Sequence, residues 1–185
     1  ALDAATRVSM RDEIRRIQKQ QNIAALLITH DQDEALSLAD RIAILRDGRL
    51  VQAAPPREMY DRPADGFVAG FIGRANLLDG TAAGPDAVDT PIGRLATAGH
   101  ALAEGAAVRL LVRPEKIAPV RVDPAAGVPG ENDFAVRVLH DRFFGASREV
   151  ELAVGHGFLK IDTASREDIT HVHIPREAVQ FLPVV

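Results

Sequence analysis

The chain has 185 residues, 46% of them apolar and 26% charged, with a formal net charge of −4 and no cysteine. This balance belongs to a globular protein of one or two domains, and it excludes a disulfide framework, a thiolate metal site and thiol redox chemistry. The acidic charge and the 4% aromatic content supply neither an electrostatic footprint for a polyanion nor a stacking platform, so no nucleic-acid partner is expected. No apolar run approaches the roughly 20 residues that span a bilayer. Residues 1–3 lead straight into a helical pattern without an initiator Met or a basic-then-apolar leader, so a chain cut from something longer is expected.

Between residues 4 and 21, Met10, Ile14 and Ile17 recur at helical spacing among charged and amide side chains, which predicts an amphipathic helix with Asp3 as its N-cap. Asn22 interrupts it. Residues 23–29 then form a short, almost continuous apolar run, the pattern of a strand buried on both faces of a parallel sheet. Asp31, with Glu34 three residues on, is a capping-box-like start for a helix through Ala39. Two apolar runs, 41–45 and 50–53, flank Asp47-Gly48 and predict a hairpin. Pro55-Pro56 closes it, and residues 57–60 and 66–72 read as two short helices.

The texture changes after Gly73. Short β-rich runs at 77–81, 92–96, 108–112, 117–122, 135–139, 149–154, 158–161 and 179–182, punctuated by Gly and Pro, predict a small barrel. A mobile loop is expected over residues 124–132.

The segment with the most chemical content is Thr29-His30-Asp31-Gln32-Asp33-Glu34-Ala35-Leu36, where a histidine falls between a strand end and a helix start. Ligands of open α/β sheets bind at that edge, and a neutral imidazole there can hydrogen-bond a phosphate oxygen or an attacking water. The adjoining helix start favours negative charge. A strand-end histidine taken alone is more often structural.

This segment resembles the switch-histidine segment of ABC ATPases, and Ala1-Leu2-Asp3 resembles the end of their D-loop at the right distance upstream. The run from Ala39 to Arg49, then Pro56 to Pro63 and Phe67 to Gly73, extends the resemblance to the importer subfamily for sugars, polyamines, sulfate or ferric iron. The second half resembles the TOBE domain appended to such ATPases, through Gly73-Arg74-Ala75-Asn76, Leu111-Val112-Arg113-Pro114-Glu115 and Phe144-Gly145.

The implied fold is an α/β remnant of a P-loop ATPase domain at 1–73, followed by an all-β OB-like barrel at 74–185. The resemblance implies that His30 contacts the γ-phosphate and the attacking water, and that Asp3 faces the nucleotide site of a partner subunit. It implies ATP and Mg in the intact parent, a second ATPase subunit as homodimer partner, transmembrane permease subunits, and a cytoplasmic position on the inner face of the membrane. A small solute or regulatory protein at the TOBE domain is the alternative role, and the lean toward an inorganic ion rests on Gly73–Asn76 by analogy.

The chain departs from the family in having no Gly-x-x-x-x-Gly-Lys-Ser/Thr loop, signature motif or acidic strand end, all expected upstream of Ala1. Phosphoryl transfer depends on that phosphate cradle, so the chain alone is expected to be without catalysis and without cofactor.

Three other features have ordinary readings. Arg113-Pro114-Glu115 is expected to be a turn with a surface ion pair, and Phe143-Phe144-Gly145 to be core aromatics before a turn glycine rather than an aromatic pair at a barrel mouth. His171-Val172-His173 sets two imidazoles on one side of a strand, but no acidic partner is evident at useful spacing. No metal site is assigned. A strand at 23–29 without its sheet neighbours would have exposed edges, which predicts an oligomer or a poorly ordered first third.

Overall fold

A computed structural model describes residues 4–121 and 130–184. The chain divides into two compact units, Ala1–Ala64 with Phe71–Gly73 and Asp65–Gly70 with Arg74–Val185. Asp3 and residues 124–129 of the expected loop lie outside the described residues.

The first unit opens with helix α1, Ala4–Gln21. Asn22, at φ 48°, ends it: the Asn22 amide donates to Lys19 O (3.3 Å) and the Ile23 amide to Gln18 O (3.1 Å). This pairing satisfies two carbonyls that a helix end leaves open, and asparagine tolerates the left-handed conformation it needs. The apolar stripe is present but half-exposed, at 47% for Met10, 55% for Ile14 and 45% for Ile17.

Residues 23–29 correct the sequence reading. Among the described residues they pair with no strand, and Leu26 and Ile28 are 91% and 89% exposed. A parallel strand buried on both faces exists only between neighbouring strands and under helices. The two strands described in this unit pair antiparallel with each other, so the run has the composition of a central strand and no sheet to enter.

Helix α2 follows at Gln32–Leu38, then strands β1 (Ile42–Arg46) and β2 (Arg49–Ala54) and helix α3 (Pro56–Asp61). The β1–β2 turn uses Asp47 and Gly48 at φ 52° and 73°. Two successive positive φ angles define the type I′ turn, whose twist matches a hairpin. Ile42, Ile44, Ala54 and Met59 are buried in this unit.

Helix α4, Gly66–Ile72, spans the division between the units. The second unit then consists of β3 (Asn76–Ala82), β4 (Ala87–Thr90), β5 (Gly93–Ala96), β6 (Ala107–Val112), β7 (Ala118–Val120), β8 (Asp133–Ala135), β9 (Arg137–Phe143), β10 (Arg148–Val154), β11 (Gly157–Thr163), β12 (His171–His173) and β13 (Gln180–Leu182). Three sheets, in the orders β13-β6-β3-β4-β5, β11-β10-β9 and β7-β12-β8, enclose one core, the all-β architecture expected. Alternation places Val150, Leu152 and Val154 of β10 and Leu159 and Ile161 of β11 inside. Strand β6 is buried on both faces: Val108, Leu110 and Val112 enter this core, while Leu111 packs with Ala69 and Leu182.

Two buried asparagines join the sheets where no ladder runs. Asn76 donates through Nδ2 to Lys160 O (2.8 Å) and Val112 O (3.2 Å) and accepts from the Lys160 amide (2.7 Å), tying β3 to β11. Asn132 accepts from the Ala96 amide (2.8 Å) and donates to Ala96 O and Ile174 O (both 2.9 Å). This end of the expected mobile loop is therefore a buried anchor, because a primary amide satisfies several backbone groups at once.

Candidate functional site

His30 lies in the bend between the unpaired segment and α2. It is exposed, and its ring has no hydrogen-bond partner among the described residues. The residues on either side of it are held firmly. Asp31 is the N-cap of α2, its Oδ1 accepting from the Asp33 amide (3.0 Å) and the Glu34 amide (3.2 Å). The Asp31 amide donates to Thr29 Oγ1 (3.0 Å), and that hydroxyl donates to Glu34 Oε2 (2.7 Å).

Arg11, from the middle of α1, completes the arrangement. Its Nη2 donates to Glu34 Oε1 (2.7 Å) and Asp31 Oδ2 (3.0 Å), and its Nε donates to Glu34 Oε1 (3.0 Å). One guanidinium thus fixes the cap and the first-turn carboxylate of α2 together, a planar fork meeting carboxylates. A second arginine, Arg15, grips the Asp40 carboxylate, with Nη1 2.9 Å from Oδ2.

These contacts set the charge states. The Glu34 amide, then Arg11, hold the Asp31 carboxyl below its ordinary range. The Thr29 hydroxyl and Arg11 do the same for Glu34, and the hydrogen bond to Glu34 raises Arg11. Both carboxylates are charged at neutral pH. The Asp33 and Glu34 amides of α2 are occupied by Asp31, so they serve the helix's own cap rather than an outside anion.

His30 is accordingly an exposed imidazole on a backbone pinned at both neighbours, suited to hydrogen-bonding a phosphate oxygen or a water brought to it. An open cleft lined by Arg11, Asp12, Asp33, Leu36 and Ser37 runs beside the network. His30 is not in that lining.

Three other sequence readings are corrected. Arg113 is 3% exposed and so does not lie at the surface, its Nη1 donating to Ala69 O and Arg74 O at 2.9 Å each. Phe143 and Phe144 are each 60% exposed and not core; the Arg166 guanidinium lies 4.9 Å from the Phe143 ring centre. Gly145, at φ 81°, is the turn residue expected. His173 does have an acidic partner: its Nδ1 is 2.7 Å from Asp133 Oδ1, forty residues away in sequence and directly opposite in the strand register. Only strand pairing brings these two together, so sequence spacing could not find them. The residue that sequence reasoning missed at the site is Arg11; an arginine in α1 gives no local signal of the carboxylates it meets.

Over most of its length the chain is similar to ATP-binding subunits of ABC importers. No family model matches it. It is 37% identical over 164 residues to the Fe(3+) ions import ATP-binding protein FbpC of Rhizobium etli, covering 86% of this chain and 44% of that protein. It is 36% identical over 188 residues to the spermidine/putrescine import ATP-binding protein PotA of Methylococcus capsulatus, covering 97% and 48%. It is 43% identical over 118 residues to the sulfate/thiosulfate import ATP-binding protein CysA of Caulobacter vibrioides, covering 64% and 34%. The chain spans about half the length of the curated relatives it matches. Among solved structures, the cytoplasmic molybdate-binding protein ModG superposes with a TM-score of 0.48 at 16% identity, over 58% of this chain and 96% of that one. Among the described residues no helix is long and apolar enough to cross a membrane.

Proposed function

We propose that this chain is part of the ATP-binding subunit of an ABC importer, which couples ATP hydrolysis to solute uptake. Residues 1–73 are the C-terminal part of the nucleotide-binding domain and 74–185 a regulatory TOBE domain. His30 acts at the γ-phosphate and the attacking water, and Asp3 faces the partner subunit's nucleotide. The observation that carries this reading is the fixed setting of His30: Thr29 and Asp31 are locked by Glu34 and Arg11, while the imidazole itself is free to meet a ligand.

ATP and Mg are cofactors of the intact subunit. Its partners are a second ATPase subunit and membrane permease subunits, engaged from the cytoplasmic face. Relatives named for ferric iron, polyamine and sulfate import share comparable identity with the chain, which favours coupling machinery over cargo recognition as the shared content. A regulatory or dimerising role for the second unit is the other reading, favoured by the exposed Phe143 and Phe144 at the β9 edge.

The test compares the 185-residue chain with the full-length protein. The chain alone is expected neither to bind nor to hydrolyse ATP. In the full-length protein, His30→Ala is expected to lower hydrolysis about a hundredfold or more while ATP binding persists, the scale of losing one transition-state hydrogen bond. Full hydrolysis in that variant would rule out the assigned role of His30, and a chain that binds ATP alone would show that the phosphate cradle is not required elsewhere.

A further inference from the structure

We propose that His171 and His173 form a two-imidazole site for a divalent transition-metal ion, with Cu²⁺ held most tightly, on the outer face of β12. The strand is the middle one of its sheet, antiparallel to both β7 and β8, so its backbone is fixed from both sides. Val172 is fully buried and pins the inner face, while the two histidines stand on the opposite face, each half-exposed. Residues two apart on a strand lie about 6.8 Å from one another. Two imidazoles leaning together across that gap can each place a nitrogen about 2.1 Å from a shared ion.

The hydrogen bonds select which nitrogen does so. His173 Nδ1 faces Asp133 Oδ1 at 2.7 Å. An ionised carboxylate only accepts, so Nδ1 carries the proton and Nε2 of the neutral ring keeps its lone pair. His171 Nδ1 is 3.1 Å from Thr170 Oγ1. The Nε2 atoms of both rings are left without a protein partner among the described residues.

Asp133 is itself held, its Oδ2 accepting from the Gly130 amide at 2.9 Å. A carboxylate behind a ligating histidine fixes its tautomer and raises its basicity. Across the ladders the other neighbours are Val120 and Ala135 opposite His171 and Ala118 opposite His173, so no cation stands directly opposite either ring.

Among the described residues no group of three or more His, Asp or Glu side chains gathers as a ligand set. The ion therefore keeps water in its remaining positions. Imidazole and water ligands with open geometry suit Cu²⁺ and Ni²⁺, and the order of divalent affinities puts Cu²⁺ first.

The test is titration of the purified chain with CuCl₂, followed by calorimetry and by the electron paramagnetic resonance of bound Cu²⁺, with NiCl₂ in parallel. One Cu²⁺ per chain is expected to saturate, bound more tightly than Ni²⁺, with nitrogen hyperfine structure from two imidazoles. His171→Ala and His173→Ala are each expected to weaken binding at least about tenfold, and Asp133→Asn, which keeps both rings, about tenfold. Circular dichroism of each variant checks that the fold persists. Saturation at unchanged affinity in the His171→Ala/His173→Ala double variant, or no saturable binding by the parent chain, overturns the site. Unchanged affinity in Asp133→Asn overturns the orienting role of that carboxylate.

Discussion

Arg113 Nη1 donates to Ala69 O at 2.9 Å, and the same nitrogen reaches Arg74 O at the same distance. Ala69 is in the last turn of α4, where carbonyls have no helical partner. A buried cation therefore caps that helix end and fastens the start of the barrel chain in one contact. Arg113→Met keeps the length and removes the donors, leaving two carbonyls unsatisfied; the expected loss is about 2–4 kcal/mol in the stability of the second unit. Urea denaturation followed by circular dichroism measures it. Arg113→Lys is expected to recover only part of that loss, since one ammonium lacks the planar fork. A variant as stable as the parent would mean that water satisfies both carbonyls.

The legible parts of the sequence were those that local chemistry decides. Asn22, Asp31 and the Asp47-Gly48 pair each satisfy or terminate backbone within a few residues, and each feature forms where the sequence predicts it. Strand β4 was missed because it is only four residues long with one buried apolar side chain, Val88. The run at 23–29 was misread for the opposite reason: its composition states what it needs around it, and the described residues do not provide that. At the candidate site, His30 and its cap stood out by spacing, whereas Arg11 reaches Glu34 from twenty-three residues away. Asn76, Asn132, Arg113 and the Asp133–His173 pair likewise act across long separations and look like ordinary loop or strand polar residues in sequence.

The setting of His30 should depend on acid pH in a defined direction. The folded values of Asp31 and Glu34 are depressed, by hydrogen bonds and by Arg11. The folded state thus binds protons less readily than the unfolded state at these carboxyls, and their stabilisation is complete above the ordinary carboxylate values, near pH 4. It is lost as the pH falls below that and through the depressed folded values. Amide exchange of residues 31–35, followed by nuclear magnetic resonance, is expected to show protection steady from pH 7 to about 5 and falling at lower pH. In the Asp31→Asn/Glu34→Gln variant that fall should flatten. Protection that rises on acidification would contradict the assigned contacts.

Two glycines of the second unit should respond oppositely to the same added methyl. At Gly80 in β3, a Cβ would stand 2.5 Å from Asp89 O and 2.9 Å from Val88 Cγ1, so the β4 backbone must move to admit it. Gly80→Ala is expected to cost about 1–3 kcal/mol, the scale of overpacking a filled site. Gly70 lies within α4 with nothing within 4 Å of the added carbon, and there alanine gains helix propensity. Gly70→Ala is expected to be neutral or to stabilise by about 0.5–1 kcal/mol, because glycine loses more backbone freedom than alanine on entering a helix. Thermal unfolding of the two variants beside the parent reads both signs, at about 4 °C per kcal/mol for a unit between the small and the large domain sizes. A Gly80→Ala variant that melts with the parent would show that β4 shifts freely, and the close β3–β4 approach would then have no energetic weight in the barrel.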